Sequence, residues 1–280
     1  MFSTSRNHRP SDSFSSRYGA GKSRKPPSSY REHSISRGLR RSDSAESTRR
    51  GDHSTTGPPV SDSLTSPIVT ICVGHEQRLF AGHQDIITRS PFFEAACREQ
   101  FFQGNTRRIT LPDEHPEVLS AVLEYLYKGD YYPKLLHNKR RDIWEIEDEG
   151  KDPKSTIYHH ATKQTVLKDT FIYCSAQRYG LEELQRLALR KQGLRHGMQI
   201  STILASARWA YQNTPDTDSK LRAQYLTLII RSRNNFKKSG TMKLEMEQGG
   251  TMFFDLFVAM CNHIDDLRTV RSPFTSPFTR

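Results

Sequence analysis

The sequence contains little cysteine, and its cysteines have no spacing typical of a disulfide framework or a metal site. Four of the 280 residues are cysteine (Cys72, Cys97, Cys174 and Cys261), and no two form a Cys-x-x-Cys pair. Each lies in an apolar run, which is typical of reduced, buried thiols. We therefore expect an intracellular protein, either cytoplasmic or nuclear, without disulfides.

Long apolar runs are also missing. The hydrophobic fraction is 34%, whereas about 45–50% is usual for globular domains. The longest apolar run, Met252–Cys261, is interrupted by Asp255, and a membrane-spanning helix needs about 20 apolar residues. Residues 1–60 contain no stretch that resembles a signal peptide. We expect no membrane segment, and we expect part of the chain to bury nothing.

No catalytic motif can be recognised, since neither Gly-x-Ser-x-Gly nor His-Glu-x-x-His occurs. Gly19–Ser23 resembles the end of a phosphate-binding loop, but Ser16 stands where that loop has another glycine. His137 and His159-His160 have no cysteine or regularly spaced acid beside them, which argues against a metal site. We therefore expect no enzymatic activity, no cofactor and no metal.

The N-terminal segment is rich in serine, arginine, glycine and proline, in a chain whose net charge is +11. Its few apolar residues have no periodicity, so no core can offset the entropy of ordering, and we predict that residues 1–66 are disordered. In strings such as Arg40–Ser44, phosphorylation would replace local positive charge by negative charge. The tail can be interpreted either as a solvating segment or as a phosphorylation-regulated docking arm.

From residue 67 the apolar pattern predicts an α+β domain. The β-branched run Ile68–Val73 indicates a buried strand, and the helical period that starts at Pro116 indicates a helix that ends at Gly129. The other elements predicted here are a hairpin strand at 78–81, helices at 84–90 and 91–97, and a strand at 108–111. The next segment is crowded with charges around Trp144, and we interpret it as an inserted loop with one short helix at most.

Further amphipathic helices are predicted from residue 167 onward. The predicted organisation is a tail at 1–66, a domain at 67–192 with an insertion at about 132–164, a helical region at 193–267 and a flexible tail at 268–280. Phe253-Phe254 and Phe257 could form a partner-binding stripe or part of the core of the helical region. We interpret them as core residues.

Several motifs, in this order along the chain, resemble the BTB/POZ family. They are Phe80-Ala81-Gly82-His83-Gln84, Ser90-Pro91-Phe92-Phe93, Ile109-Thr110-Leu111-Pro112-Asp113 and Tyr125-Leu126-Tyr127-Lys128-Gly129-Asp130-Tyr131. The resemblance covers residues 67–131 and returns at 167–189, and the layout is most similar to BTB proteins of filamentous fungi. It implies the BTB/POZ fold, a small sheet capped by helices, followed by an α-helical region. The residues to which it gives structural roles are Phe80, His83, Ser90, Phe93, Tyr125, Tyr127 and Gly129.

The residue types and their positions in the predicted elements suggest roles for Ser90, for His83 and for a set of apolar residues. Ser90 precedes a helix that starts with proline, so its hydroxyl is a natural N-cap. His83 has no second ligand at suitable spacing, so we expect its ring to cap neighbouring backbone groups rather than to bind a metal. Phe80, Phe93, Val122 and Leu126 are expected to share one core.

The resemblance implies binding to other proteins. Family members commonly self-associate through the BTB domain, and many recruit a cullin scaffold for ubiquitin transfer. The cullin-recruiting members carry an apolar-x-Glu motif, which is matched here by Phe101-Phe102-Gln103. Phe101 supplies the apolar anchor, but Gln103 removes a charge-assisted hydrogen bond of about 1.5–3 kcal/mol. The family's acidic residue near the first strand is also missing, with Ser66-Pro67 in its place.

Three functional hypotheses follow from the sequence. The favoured one is a BTB-type oligomerising adaptor, with a role as substrate adaptor of a cullin ubiquitin ligase left open. The second is a nucleic-acid- or chromatin-associated protein that uses its basic tail, although the basic charge there is without interleaved stacking aromatics and without a reader motif. The third, an enzyme, has no motif in its favour.

Overall fold

The computed structural model describes residues 66–104, 107–147, 155–160 and 162–271, apart from the side chains at 100–104, 270 and 271. The predicted N-terminal tail, except Ser66, therefore lies outside the described residues. The last helix ends at Arg271, so its final turn lies in the segment that was predicted to be a flexible C-terminal tail. Residues 272–280 are outside the description.

Three strands form the first sheet. They are β1 (Ile68–Val73), β2 (Arg78–His83) and β3 (Arg108–Leu111). The strand order is β2-β1-β3, with β1 antiparallel to β2 and parallel to β3. Val69, Ile71 and Val73 of the central strand are buried, which confirms the strand predicted from their β-branched side chains. Gly74 ends this strand with a φ of 71°, a conformation that glycine adopts without strain.

Three helices follow within this part of the chain. They are α1 (Gln84–Ile87), α2 (Pro91–Gly104) and α3 (Pro116–Lys128). One face of α3 is buried along its length, as its apolar period predicts. Gly129 ends α3 with a φ of 76°, and its N–H donates to the carbonyl oxygen of Tyr125 at 2.7 Å, so the predicted stop is confirmed. The helix α2 extends well past Cys97, where the sequence pattern predicted its end.

The segment predicted as an inserted loop contains two β-hairpins, so that prediction was wrong. The strands are β4 (Leu135–Asn138) with β5 (Ile143–Ile146), and β6 (Thr156–His159) with β7 (Gln164–Leu167). Asp142 and Lys163 adopt a positive φ of 52° in the two turns, a conformation that glycine usually supplies. Because neither turn contains an Asn-Gly or Asp-Gly pair, the sequence lacks the usual signal of a hairpin.

Beyond β7 the described chain is helical. The helices are α4 (Lys168–Arg178), α5 (Glu182–Gly193), α6 (Ile200–Asn213), α7 (Lys220–Arg231), α8 (Arg233–Phe236), α9 (Gly240–Gln248) and α10 (Thr251–Arg271). A single hydrophobic cluster runs from Val69 of β1 to Ala259 of α10. The α+β part and the helical part therefore share one core.

Ion pairs and hydrogen bonds connect the segment just before the insertion to the helices behind it. Lys191 of α5 is completely buried, and its ammonium group contacts the carboxylate of Asp130 and the carbonyl oxygen of Tyr131. The buried carboxylate of Asp169 accepts hydrogen bonds from the Tyr131 hydroxyl at 2.8 Å and from Arg195 Nε at 2.9 Å. Pairing of this kind is what permits charged side chains inside a core.

The interpretation of the phenylalanines of α10 as core residues was wrong for two of the three. Phe254 and Phe257 are exposed, whereas Met252 and Leu256 are the buried apolar residues of this part of the helix. Phe253 is partly buried and packs against the core. The sequence is apolar on more than one face of α10, so its period could not show which face contacts the protein body.

All four cysteines are free thiols, as predicted. Cys72 and Cys174 are buried, but Cys97 and Cys261 are only partly so, which corrects the expectation that each is buried. Burial raises the pKa of Cys97 above its usual value, and burial raises the pKa of Cys174 to about 12. These two side chains therefore remain thiols at neutral pH.

Candidate protein-interaction surface

Ser90 fixes the start of α2. Its hydroxyl is completely buried and donates to the carbonyl oxygen of Tyr179 at 2.6 Å. It also accepts from the N–H of Phe93 at 3.4 Å, which is the predicted N-cap at the long end of hydrogen-bond distances. The bond to Tyr179 joins residues 89 positions apart and could not be read from the sequence. Ser90 is thus a structural residue that ties α2 to the end of α4.

Aromatic rings surround this junction. Phe93 is completely buried, with its ring centroid 4.9 Å from that of Tyr179 and 5.3 Å from that of Phe92. Rings at such distances, tilted or edge to face, attract each other beyond the burial of their area. Leu126 of α3 is also buried, and Phe80 of β2 is partly buried against the same core. Val122 of α3 is completely buried in that core as well, so the predicted shared core of Phe80, Phe93, Val122 and Leu126 is confirmed.

Glu114, which lies in no recognisable sequence motif, links α4 to the loop before α3. Its carboxylate is almost fully buried and accepts hydrogen bonds from Tyr179 Oη at 2.5 Å, Arg178 at 3.0 Å and Ser175 Oγ at 3.2 Å. Burial, together with the negative charge of Glu114, raises the pKa of Tyr179 well above its usual value. Tyr179 therefore stays protonated and acts as a hydrogen-bond donor, which makes this cluster structural.

His83 lies where β2 meets α1, and its expected role as a cap of neighbouring backbone groups was wrong. Its Nδ1 is 2.7 Å from the hydroxyl of Tyr127, and its backbone N–H donates to the same hydroxyl at 2.8 Å. The two motif residues thus contact each other and join the sheet to the end of α3. Tyr125 is partly buried, and burial raises the pKa of its hydroxyl. None of these contacts gives His83 a ligand-binding role.

The outward face of the first sheet carries exposed apolar side chains that no sequence motif indicated. Ile68 lies at one end of β1, and Leu79 of β2 is paired with Cys72. Because Ile68 and Cys72 are four residues apart on one strand, Ile68 and Leu79 lie on the same face. Both are more than half exposed. Among the described strands, β2 pairs only with β1, so it is an edge strand of the first sheet.

The predicted cullin-contact residues lie on the last turns of α2. The backbone at Phe101, Phe102 and Gln103 is helical, and it precedes β3 in the position where the family motif is expected. Their side chains are outside the described part of the chain. Their predicted role in binding is therefore still a prediction.

A cleft of about 800 Å³ lies between the turn that joins β1 to β2, the loop before α3 and the strand β6. Its wall contains His115, His159, Phe171 and Trp209, whose rings contact each other with centroids 4.6–6.1 Å apart. Burial lowers the pKa of both histidines, and Cys174 in the same wall is held as a thiol. Within the described residues, no group of three histidine, cysteine or acidic side chains could hold a metal ion. The rings here act as packing.

The motif residues thus serve the fold, and the exposed apolar groups lie on the sheet face, so the class indicated is a protein-interaction module. The BTB/POZ domain family matches residues 68–143, and the chain therefore contains a BTB/POZ domain, a module that generally binds proteins. The match continues past Tyr131, where the resemblance in the sequence stopped, through β4 and up to Ile143. No curated protein matches the chain. Every helix in the described part is too short or too polar to cross a lipid bilayer.

Proposed function

We propose that the chain is a BTB-type oligomerising adaptor that binds other proteins and has no catalytic activity of its own. The BTB/POZ match over residues 68–143 carries this proposal. Leu79 supports it, since its side chain is 63% exposed on β2, an edge strand of the first sheet, and Ile68 of the neighbouring β1 is 59% exposed on the same face. Apolar groups beside an unpaired strand edge are a ready template for another chain.

Leu79→Glu tests self-association through this sheet. A carboxylate at the centre of an apolar contact is costly to bury, so the variant should lose one step of self-association in sedimentation velocity runs over a range of concentrations. Leu244→Glu is the matched control, because Leu244 of α9 is similarly exposed but lies outside the first sheet. Unchanged association in Leu79→Glu would remove this sheet face from the proposal.

Recruitment of a cullin is the finer part of the proposal, and Phe101 with Gln103 supports it by resemblance. Phe101→Glu should abolish binding to a cullin N-terminal domain. Gln103→Glu should strengthen that binding about tenfold or more, because a charged acceptor adds about 1.5–3 kcal/mol. Leu244→Glu again serves as the control. Equal cullin affinity in Phe101→Glu and the unchanged chain, measured by calorimetry, would discard the cullin role and leave the adaptor role standing.

The net positive charge of the chain supports a nucleic-acid-associated role as the second candidate function. Deleting residues 1–66 separates the two. An adaptor should keep its protein partners after the deletion. A protein that binds nucleic acid through its tail should lose that affinity, and the affinity of the full chain should fall steeply with added salt because phosphate contacts release counterions.

A further inference from the structure

The helix α10 presents an apolar stripe to solvent along most of its length. Five large side chains form this stripe: Phe254, Phe257, Met260, Ile264 and Leu267, with exposed fractions of 69%, 65%, 40%, 45% and 44%. We call these five residues the α10 stripe. Met252, Leu256 and Ala259 are buried and, with the partly buried Phe253, hold the beginning of the helix on the protein body.

The spacing within the α10 stripe is that of a helix-pairing seam. Phe257, Met260, Ile264 and Leu267 are separated by three, four and three residues, which corresponds to the a and d positions of a heptad. Phe254 lies three residues before Phe257 and widens the stripe at its N-terminal end. A surface of this kind packs best against another helix.

The C-terminal part of α10 extends away from the rest of the described protein. Residues 264–269 are all exposed, the polar and the apolar ones alike. A helix gains most of its stability from packing of its apolar face, and isolated helices shorter than about 12–15 residues are marginal in water. The projecting end of α10 therefore carries apolar side chains, but it has too few packing contacts within the described protein to stabilise it as a helix.

We propose that the α10 stripe pairs with the α10 stripe of a second copy of this chain, in antiparallel orientation and centred on Asn262. In that register Phe257 of one copy lies opposite Leu267 of the other, and Met260 lies opposite Ile264. The projecting end of each helix covers the exposed phenylalanines at the beginning of the other. The two protein bodies then lie at opposite ends of the helix pair.

The position of the protein bodies favours this orientation over a parallel one. Met252, Leu256 and Ala259 hold the beginning of α10 on the body, whereas residues 264–269 at its other end are exposed. A parallel pair in register would bring the two bodies side by side at one end and would pair each projecting end only with the other. In the antiparallel register the projecting end of each copy reaches the exposed Phe257 of the other.

The apolar area of the stripe reaches the lower limit of a specific dimer interface when all five side chains are covered. A large side chain buries about 200 Å² when it is fully covered. With the exposed fractions given above, the five residues present on the order of 500 Å² per copy, or about 1,000 Å² for the pair, which is the lower limit of a specific protein interface. A patch of this size on a single protein commonly marks an interaction site.

Sedimentation equilibrium of the full chain tests the pairing. We expect the double variant Phe257→Glu, Ile264→Glu to lose one dimerisation step. If α10 is the one contact that holds the dimer together, the average mass falls to the 32.2 kDa of one chain. Leu244→Glu should leave the mass unchanged. Leu79→Glu acts on the first sheet, so it reports on the proposed function independently of α10. Equal masses with and without the α10 substitutions would overturn the pairing and leave the BTB proposal untouched.

Disulfide trapping tests the register. In a chain whose partly buried Cys97 and Cys261 are replaced by serine, a mixture of a Phe257→Cys variant and a Leu267→Cys variant should form the mixed disulfide. A disulfide of Phe257→Cys with itself would indicate a parallel pair and overturn the proposal. If the chain is a monomer that dimerises only after deletion of residues 272–280, its own C-terminal segment covers the stripe, which also overturns the proposal.

Discussion

The replacement Phe93→Ala tests the junction on which the BTB part of the fold depends. The Phe93 ring is completely buried between the rings of Tyr179 and Phe92, and its backbone N–H contacts the hydroxyl that caps α2. Removing the ring leaves a cavity in a core that is packed as densely as an organic crystal. It also removes two aromatic contacts while the backbone bond to Ser90 stays in place.

We expect Phe93→Ala to lower the free energy of unfolding by about 3–5 kcal/mol, the usual cost of truncating a buried phenylalanine. For a folded part of this size, such a loss of unfolding free energy corresponds to a fall in Tm of roughly 6–20 °C. Urea unfolding followed by circular dichroism, and a thermal melt, measure the two quantities. Because the core is continuous, both probes should report a single shifted transition.

Phe92→Ala is the matched comparison. It removes the same ring from the adjacent position of the same helix, but the Phe92 ring is partly in contact with water. Its cost should be well under that of Phe93→Ala, because less apolar area is returned to solvent. Equal effects of the two substitutions, or an unfolding free energy of Phe93→Ala within about 0.5 kcal/mol of the unchanged chain, would refute the assignment of Phe93 to the core.

Two further predictions concern buried charge. Lys191→Ala should cost about 3 kcal/mol in urea unfolding, since it leaves the partly buried carboxylate of Asp130 without its cation; a loss below about 1 kcal/mol would contradict this. For His115, burial lowers the pKa below the usual 6.5, so its contribution to stability is complete above about pH 6.5 and is lost as the pH falls toward the lowered pKa. When the pH is lowered from about 7.5 to about 5.5, the free energy of unfolding should therefore fall less in His115→Phe than in the unchanged chain. Equal falls in the two proteins would contradict a lowered pKa of His115.

The candidate interaction site could be predicted only in part. Motif residues such as Ser90 and Phe93 were recognisable because their local sequence resembles a known pattern. The connection of Ser90 to Tyr179, and of Glu114 to α4, joins residues far apart in the chain, and no local pattern encodes such a contact. Ile68 was missed as a surface residue because a β-branched residue at the end of a strand has the same sequence signal whether it is buried or exposed.

By itself, the sequence determined the central strand of the BTB sheet, the helix that ends at Gly129 and the helical nature of the region after residue 167. These elements depend on local preferences: β-branched runs, apolar periods and a glycine that accepts a positive φ. Only the tertiary structure decided that the charged insertion forms hairpins and that α10 turns Phe254 and Phe257 outward. Both depend on which surfaces are available to pack against, and that is a property of the assembled core.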